Sequence, residues 1–243
     1  MTYTTTNGFD FEKRSFQIER GSSFSEPPSN NGELIIIISG SISVTILGKA
    51  RSLNIDQDEA YIFNLRNRGM IISALADCQM DIVRIPPMYT QIFIQNLSEQ
   101  FTGIYRVEKG SDPFSSEHFF KDLQNTFSLL KLHSDCNTML NDCLNQINLS
   151  NGNITVKELH ESVGVSKSTL VQQFSKNIGV TPKEYCRIEK LNYFLDSYKS
   201  KPDYSLTELA YHCGYYDQSH LIKDFQYFLN TSPKKYLMSA NLS

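Results

Sequence analysis

The sequence lacks the features of an exported or membrane-spanning protein. Its first ten residues are polar and acidic, with neither the basic segment nor the apolar segment of a signal peptide, so export is not expected. The most apolar stretch, residues 34–47, is interrupted by serine, glycine and threonine. It falls short of the roughly 20 apolar residues that a spanning helix needs. We therefore expect a cytoplasmic protein that does not enter a membrane.

Cysteine and histidine are scarce, and neither occurs in the spacing of a metal site. The cysteines at positions 78, 136, 143, 186 and 213 form no Cys-x-x-Cys pair, which is typical of reduced, buried thiols. The five histidines lie outside the segments predicted below as strands, so a His-x-His metal site is not expected. Neither a Gly-x-Ser-x-Gly elbow nor a Gly-x-x-x-x-Gly-Lys loop is present. We expect no cofactor, no metal, no catalytic residues and hence no enzyme.

Charge alone does not predict nucleic-acid binding. Hydrophobic residues make up 40% of the chain and charged residues 20%, which is ordinary for a globular protein, and the net charge is −3. Residues 1–135 carry a net charge of −4 and residues 136–243 a net charge of +1. The C-terminal part is therefore less acidic than the rest without being a basic domain.

Residues 1–112 are predicted to form a β-rich domain. The isoleucine run at residues 35–38 is followed by a Ser-Gly-Ser turn and then by alternating apolar and polar residues up to position 46. Further short strands are predicted at residues 60–63, 70–75 and 80–85. Several short strands at close spacing favour a barrel or sandwich.

Helical patterns follow the strands. One is predicted at residues 89–100, and a linker helix is assigned to residues 113–136, where Phe120, Leu123, Phe127 and Leu130 recur at three- and four-residue spacing. The apolar face of this linker helix either packs on its own domain or forms a homodimer interface, and the sequence leaves both open.

Residues 137–243 contain an internal repeat. Residues 155–159 (TVKEL) match residues 205–209 (SLTEL) at an offset of fifty. The other matched pairs are Gly164 with Gly214, Leu170 with Leu221, Phe174 with Phe225, Gly179 with Asn230, and residues 181–183 (TPK) with residues 232–234 (SPK). A repeat of this kind predicts two copies of one supersecondary unit.

Each matched position has a structural role in a helical hairpin. Thr155 with Glu158, and Ser205 with Glu208, have the spacing of capping boxes that begin a helix. Ser166 and Asp217 are suitable N-caps for the next helix, and the glycine before each one permits a sharp turn. These features predict helix-turn-helix units at about 155–178 and 205–229. A connecting helix at 182–199 would span roughly 27 Å.

Residues 213–225 (CGYYDQSHLIKDF) and 232–236 (SPKKY) resemble the signature of the AraC/XylS family of transcription regulators. The resemblance covers residues 137–243 and implies duplex DNA binding, as activator or repressor, through paired helix-turn-helix units. Asn230 stands in place of the usual glycine and Leu237 in place of a common arginine. Residues 81–87 more loosely resemble the cupin-like sensing domains of this family. The implied fold class is α+β, a cupin-like β domain followed by an all-α double helix-turn-helix domain.

The recognition helices supply the candidate contacts with DNA, because side chains that avoid their buried faces can reach base edges. The candidate base-reading residues are Ser168, Val171, Gln172, Gln218, Ser219, Ile222 and Lys223. The candidate phosphate-binding residues are Ser166, Lys167, Thr169, Lys176, Ser232, Lys234 and Lys235. Each of these residues, taken singly, is also compatible with an ordinary surface position. Arg187 and Lys190 are interpreted as pairing with Glu184 or Glu189 on the connecting helix.

The expected partners are duplex promoter or operator DNA and, for an activator, RNA polymerase. A small-molecule effector and a homodimer are left open. Two alternatives use the same features differently. A helical adaptor would contact other proteins and have little DNA affinity of its own, and salt-dependent duplex binding separates it from a regulator. A cupin-type metalloenzyme would contain metal after purification.

Overall fold

The computed structural model describes residues 2–8, 11–94, 98–101, 104–107, 138–201 and 203–240. These residues divide into two compact units. The first comprises the described parts of residues 1–24, Asn31–Arg66 and 71–137, and the second comprises Ser25–Asn30, Asn67–Met70 and the described residues from 138 onward. The predicted linker helix at 113–136 and Cys136 lie outside the described residues. The domain boundaries at 112 and 137 therefore stay predictions.

The first unit consists of two antiparallel sheets and one helix. Its elements are β1 (Thr2–Gly8), β2 (Phe11–Ile18), β3 (Ser23–Glu26), β4 (Gly32–Ser39), β5 (Ser41–Ile46), β6 (Ser52–Asp56), β7 (Ala60–Phe63), β8 (Met70–Ala74), β9 (Cys78–Ile85), α1 (Pro87–Ile94), β10 (Ser98–Phe101) and β11 (Ile104–Arg106). Met70 opens β8 but is grouped with the second unit. One sheet has the strand order β1-β2-β9-β4-β7-β11-β10, and the other has the order β3-β8-β5-β6.

Strand β4 lies in the interior of the larger sheet, between β9 and β7. Its side chains alternate between the two faces of the sheet. Leu34 and Ile36 pack in a cluster with Val83, Ile62 and Ile94 of α1. Ile35 and Ile37 point to the opposite face and are also buried. Burial on both faces explains why the isoleucine run at 35–38 is apolar at every position.

Every strand predicted from the sequence is present, whereas the helix predicted at 89–100 is partly wrong. The predicted strand segments correspond to β4, β5, β7, β8 and β9. Helix α1 ends at Ile94, and Ser98–Phe101 forms strand β10, paired with β11. Three of the four residues of Ser98–Phe101 are polar, so the local pattern does not identify a strand, and the pairing with β11 decides the outcome.

The second unit is helical. Its helices are α2 (Thr138–Leu149), α3 (Val156–Ser162), α4 (Lys167–Asn177), α5 (Pro182–Ser200), α6 (Leu206–His212), α7 (Gln218–Leu229) and α8 (Pro233–Ala240). The predicted class, a β-rich part followed by an all-α double helix-turn-helix part, is confirmed. None of the helices among the described residues has both the length and the hydrophobicity that crossing a bilayer requires.

The predicted helix starts and turns are present in both copies of the repeat. Thr155 and Ser205 each form a complete capping box with the glutamate three residues on. The hydroxyl of Thr155 and the carboxylate of Asp217 accept bonds from the backbone N–H groups of Glu158 and His220, at 3.1 and 2.7 Å. Four matched positions of the repeat all have positive φ: Gly164 (69°), Gly179 (90°), Gly214 (82°) and Asn230 (52°).

Removing one cap hydroxyl should destabilise the second unit by a measurable amount. We expect Thr155→Ala and Ser205→Ala each to lower its free energy of unfolding by about 1 kcal/mol, because each leaves a backbone N–H of the first helical turn without its acceptor. Thr207→Ala, on the exposed side of α6, is the matched control and should change the free energy by less than about 0.5 kcal/mol. Urea unfolding, monitored by hydrogen exchange in α3 and α6, measures the change in free energy of unfolding for the cap variants and for the control. Equal effects of Ser205→Ala and Thr207→Ala would contradict the capping role.

The thiols of the described cysteines are buried and free, as predicted for a reducing environment. They are Cys78, Cys143, Cys186 and Cys213. Burial raises the pKa of Cys78 and of Cys143 to about 11, so both are protonated at neutral pH. Protonated, buried thiols are poor nucleophiles and poor metal ligands.

Candidate DNA-binding surface

In the first helix-turn-helix unit, α4 is the second helix. Its buried face carries Leu170 and Phe174, which anchor it to the unit. Ser166 caps the N-terminus, and its hydroxyl accepts from the backbone N–H of Thr169 at 3.1 Å. Of the predicted base-reading residues, Ser168 and Gln172 are exposed on the opposite face and Val171 is half-buried beside them. The first unit therefore presents a nearly uncharged reading face.

In the second helix-turn-helix unit, α7 is the second helix, as α4 is in the first. Leu221 and Phe225 are buried, at the positions that correspond to Leu170 and Phe174. The four predicted base-reading residues of this helix are all exposed: Gln218, Ser219, Ile222 and Lys223. Lys223 puts a positive charge on this face that the first unit lacks at the matching position, Gln172. The repeat is thus structural, while the chemistry of its two reading faces differs.

The connecting helix α5 carries both recognition helices. Phe174 of α4 packs edge-on against Tyr185 at the start of α5, with ring centroids 6.1 Å apart. Phe225 of α7 packs edge-on against Phe194, nine residues further along α5, with centroids 5.6 Å apart. Nineteen residues make α5 about 28 Å long at the standard rise per residue.

An ion pair fixes the second recognition helix to α5. Asp224 on the inner side of α7 is buried, and its Oδ1 accepts from Arg187 Nη2 at 2.7 Å and from Nε at 3.1 Å. The Arg187 guanidinium also lies 4.8 Å from the ring centroid of Phe228. Lys190, one turn along α5, donates to the carbonyl of Gly214 at 3.2 Å. The structure thus gives both cations partners in the second helix-turn-helix unit, in place of the glutamates expected on α5.

Most of the predicted phosphate-binding residues lie around the helix starts, whereas Lys176 lies in the last turn of α4. Lys167, Thr169 and Lys176 are exposed on α4, and Lys234 and Lys235 are exposed on α8. The hydroxyls of Ser166 and Ser232 accept bonds from backbone N–H groups of their own helices, at 3.1 and 3.4 Å. These two serines are therefore structural caps first, and any phosphate would meet the neighbouring backbone amides and lysines.

The two reading faces extend one turn beyond the predicted residues. Ser175 follows Gln172 by three positions and Gln226 follows Lys223 by three, and both side chains are exposed. Residues three or four apart lie on one side of a helix, so Ser175 and Gln226 belong to the same faces. Continuing the helical spacing along the sequence would have identified them. Tyr216, in the turn of the second helix-turn-helix unit, is 85% exposed, although an aromatic residue between two helices usually indicates core.

The described residues contain no group of three or more His, Cys, Asp or Glu side chains arranged to hold a metal ion. The available chemistry of the two faces is hydrogen bonding, apolar contact and a few lysine charges.

Comparison with known proteins places the helical unit among helix-turn-helix domains. A family model described as a helix-turn-helix domain matches residues 159–239. The HTH-type transcriptional activator RhaS of Salmonella arizonae is 34% identical over 77 residues, which cover 30% of this chain and 26% of RhaS, and RhaS of Salmonella newport matches to the same extent. The chain thus spans about a quarter of the length of the curated relatives that it matches.

Solved structures of ToxT from Vibrio cholerae share the fold over nearly the whole chain. One has a TM-score of 0.55 and 13% sequence identity, and the match covers 94% of this chain and 98% of ToxT. A second, with an unsaturated fatty acid bound to ToxT, has a TM-score of 0.55 with 96% of both chains covered. At this identity the likeness concerns the fold, a β unit followed by a helical unit.

Proposed function

We propose that this chain, which carries an AraC-type helix-turn-helix domain in its C-terminal part, is a sequence-specific DNA-binding transcription regulator. The predicted resemblance to the AraC/XylS family is confirmed by the helix-turn-helix match, the RhaS relatives and the ToxT fold. The single observation that carries the proposal is the duplicated geometry: two capped recognition helices, each anchored by an equivalent Leu/Phe pair, with polar side chains exposed on the opposite face.

The two faces would read different base edges. Gln172 can bond adenine at N6 and N7, and the neighbouring Val171 can contact a thymine methyl group. Lys223 can donate to guanine O6 and N7, flanked by Ser219 and Ile222. We therefore expect an operator with an A/T-rich half-site for α4 and a guanine in the half-site for α7. The lysines near both helix starts would position the protein on the backbone without specifying sequence.

The length of α5 suits two adjacent major-groove segments. Successive major grooves on one side of B-DNA lie roughly 34 Å apart, and α5 is about 28 Å long. Because α4 packs near the start of α5 and the Phe225 contact of α7 lies nine residues further along, one protein could present both recognition helices to the same side of a duplex.

The β unit is the proposed sensing part. ToxT has been solved with an unsaturated fatty acid and with a naphthyl-butenoic acid bound, which supports a small-molecule effector for this chain as well. RNA polymerase would be the second partner if the protein activates transcription, and a homodimer would double the number of half-sites that are read. We place the protein in the cytoplasm, where its operator lies.

A helical adaptor is the second candidate. The observation that favours it is the near-neutral charge of the helical part, +1 over residues 136–243, together with the uncharged reading face of α4. An adaptor would use the same exposed faces for protein partners.

Lys223→Ala tests base reading directly. Operators are first selected from a random duplex pool with the full-length protein. If Lys223 reads a base, the substitution lowers affinity for the selected operator by about 1–3 kcal/mol and relaxes preference at one base pair. Lys199→Ala, with the same charge change at an exposed position at the end of α5, is the matched control and should leave that preference intact. A pool that yields no selected sequence would favour the adaptor.

A further inference from the structure

The turn of the second helix-turn-helix unit receives hydrogen bonds from outside that unit. Asn153 Nδ2 donates to the carbonyl of Cys213 at 3.1 Å, and Lys190 Nζ donates to the carbonyl of Gly214 at 3.2 Å. These carbonyls follow the end of α6, where no further helical turn supplies donors. Asn153 lies in the loop before α3 of the first unit, and Lys190 lies on α5. Three parts of the domain therefore meet at one turn.

The packing at this turn is too close for a larger residue. Gly214 has a φ of 82°, and a Cβ atom built there would lie 1.9 Å from Asn153 Oδ1. In the loop that carries Asn153, a Cβ atom at Gly152 would lie 2.2 Å from the carbonyl oxygen of Cys186 on α5. The loop is thus pressed against the connecting helix on one side and against the turn of the second unit on the other.

Lys190 makes a second contact with the same turn. Its Nζ lies 5.7 Å from the ring centroid of Tyr215, the residue that follows the glycine, and Tyr215 is itself buried against Phe194. The turn is therefore fixed by one donor from the loop that precedes the first helix-turn-helix unit and one from α5. We refer to Asn153, Lys190 and Gly214 as the turn clamp.

We propose that Asn153 and Lys190 are positioning residues that couple the two helix-turn-helix units, so that α4 and α7 are presented at one separation and one rotation. Besides the turn clamp, each unit is anchored to α5 separately, the first through Phe174 with Tyr185. The second is anchored through Phe225 with Phe194 and through the ion pair of Asp224 with Arg187. Each of those contacts joins one hairpin to α5, and none of them joins the two hairpins to each other. The bond from Asn153 links the loop that leads into the first hairpin to the turn of the second hairpin, across 60 residues of sequence.

The consequence for DNA rests on the proposed function and concerns operator spacing. One inserted base pair rotates the second half-site by roughly 35° and moves it by about 3.4 Å, because a turn of B-DNA takes about 10.5 base pairs. A protein with coupled units cannot follow this displacement and loses contacts at one half-site. A protein with uncoupled units can follow it in part.

The distance between the recognition helices tests the coupling without DNA. Spin labels are placed on unnatural amino acids at the exposed positions Ser175 of α4 and Gln226 of α7 in the full-length chain, and their separation is measured by pulsed electron resonance. We expect one narrow distribution in the parent protein and in the control Asn148→Ala, an exposed residue of α2. Asn153→Ala and Lys190→Met should broaden or shift it. Unchanged distributions in both folded variants would overturn the proposal.

Operator spacing tests the functional consequence. On a selected operator, one inserted base pair should weaken binding of the parent protein by about 100-fold and binding of Asn153→Ala by only about 10-fold, since several base contacts are lost in the first case and fewer in the second. An equal spacing penalty in both proteins overturns the role in DNA presentation. If the full-length chain selects no operator at all, the proposed function fails, and the distance measurement still decides whether the clamp couples the units.

Discussion

Replacing Glu33 by glutamine is expected to destabilise the β unit by about 3–5 kcal/mol, because it breaks a buried ion pair from one side. Glu33 is 1% exposed on β4. Its Oε2 accepts from Nε of the buried Arg66 at 3.0 Å, and its Oε1 lies 3.9 Å from both Arg14 Nη2 and Arg84 Nε. A glutamine would remove the negative charge that faces the buried Arg66 guanidinium, whereas Arg84 would keep its ion pair with Glu12 at 2.6 Å.

The same cluster makes the stability of the β unit depend on pH in the acidic range. Burial acts to raise the pKa of Glu33, but Arg66, Arg84 and Arg14 together outweigh it, so the pKa lies below its usual value. A carboxyl group whose pKa is lowered on folding stabilises the fold above its unfolded pKa, and this contribution is lost as pH falls through its folded pKa. We therefore expect the β unit to keep this contribution at neutral pH and to lose it only below about pH 4.3, the usual pKa of glutamate. Glu33→Gln should flatten that dependence.

The matched control is the same substitution at an ion pair that is only partly buried. Glu59 pairs with Arg106 at 2.7 Å, and the Arg106 side chain is 47% exposed, so Glu59→Gln should cost less than about 1 kcal/mol. Hydrogen exchange in peptides from β4 and β9 reports the stability of the β unit separately from the helical unit, which a single denaturation curve would not. Equal losses from Glu33→Gln and Glu59→Gln would contradict the stabilising role of the buried cluster.

Asp224→Asn should have the largest effect in the helical unit, about 2–4 kcal/mol, through the pair with Arg187. Asp224 is 1% exposed, whereas the Arg187 side chain is 31% exposed, so part of the unpaired charge would be solvated and the loss should stay below that of a fully buried pair. Burial first, and the Asp224 carboxylate next, raise the pKa of Tyr215 in the turn of the second unit. Tyr215 is protonated at neutral pH with or without this carboxylate, so the expected loss of stability comes from the broken pair with Arg187.

A double-mutant cycle separates this pair from general damage. Arg187→Ala, Asp224→Ala and the double variant should give a coupling energy above about 1 kcal/mol, while Asp196→Asn, exposed on α5, should change stability by less than about 0.5 kcal/mol. DNA affinity should fall together with stability, because α7 loses its fixed angle to α5. Additive single effects would show that the pair does not hold the helix.

Local features of the helical unit could be predicted almost completely from the sequence. The helix caps are Thr155, Ser166 and Asp217, whose short polar side chains accept hydrogen bonds from the first free backbone amides. Capping depends on only a few adjacent residues, so a local sequence pattern is enough to predict it. In the β unit the apolar strands could be predicted, whereas β1, with the polar sequence TYTTTNG, gives no alternating pattern. Its pairing with β2 is what defines it as a strand.

Contacts between distant positions could not be predicted. Arg187 meets Asp224 across 37 residues, whereas its sequence neighbours Glu184 and Glu189 offered nearer carboxylates and led to the wrong partner. Glu33 meets Arg66 across 33 residues, and nothing local indicates that this glutamate is buried. Which exposed residues touch DNA stays a prediction, because exposure on a recognition helix is necessary for contact and does not establish it.

The most direct test of DNA binding is an anisotropy titration of the full-length protein against a selected operator and a shuffled duplex over a salt series. We expect the logarithm of the affinity to fall linearly with the logarithm of the salt concentration, with a slope of about −0.9 for each phosphate contacted. The selected operator should be preferred at every salt concentration. Absence of binding at low salt, or equal binding of both duplexes throughout, would contradict the proposal that the paired helix-turn-helix units read a DNA sequence.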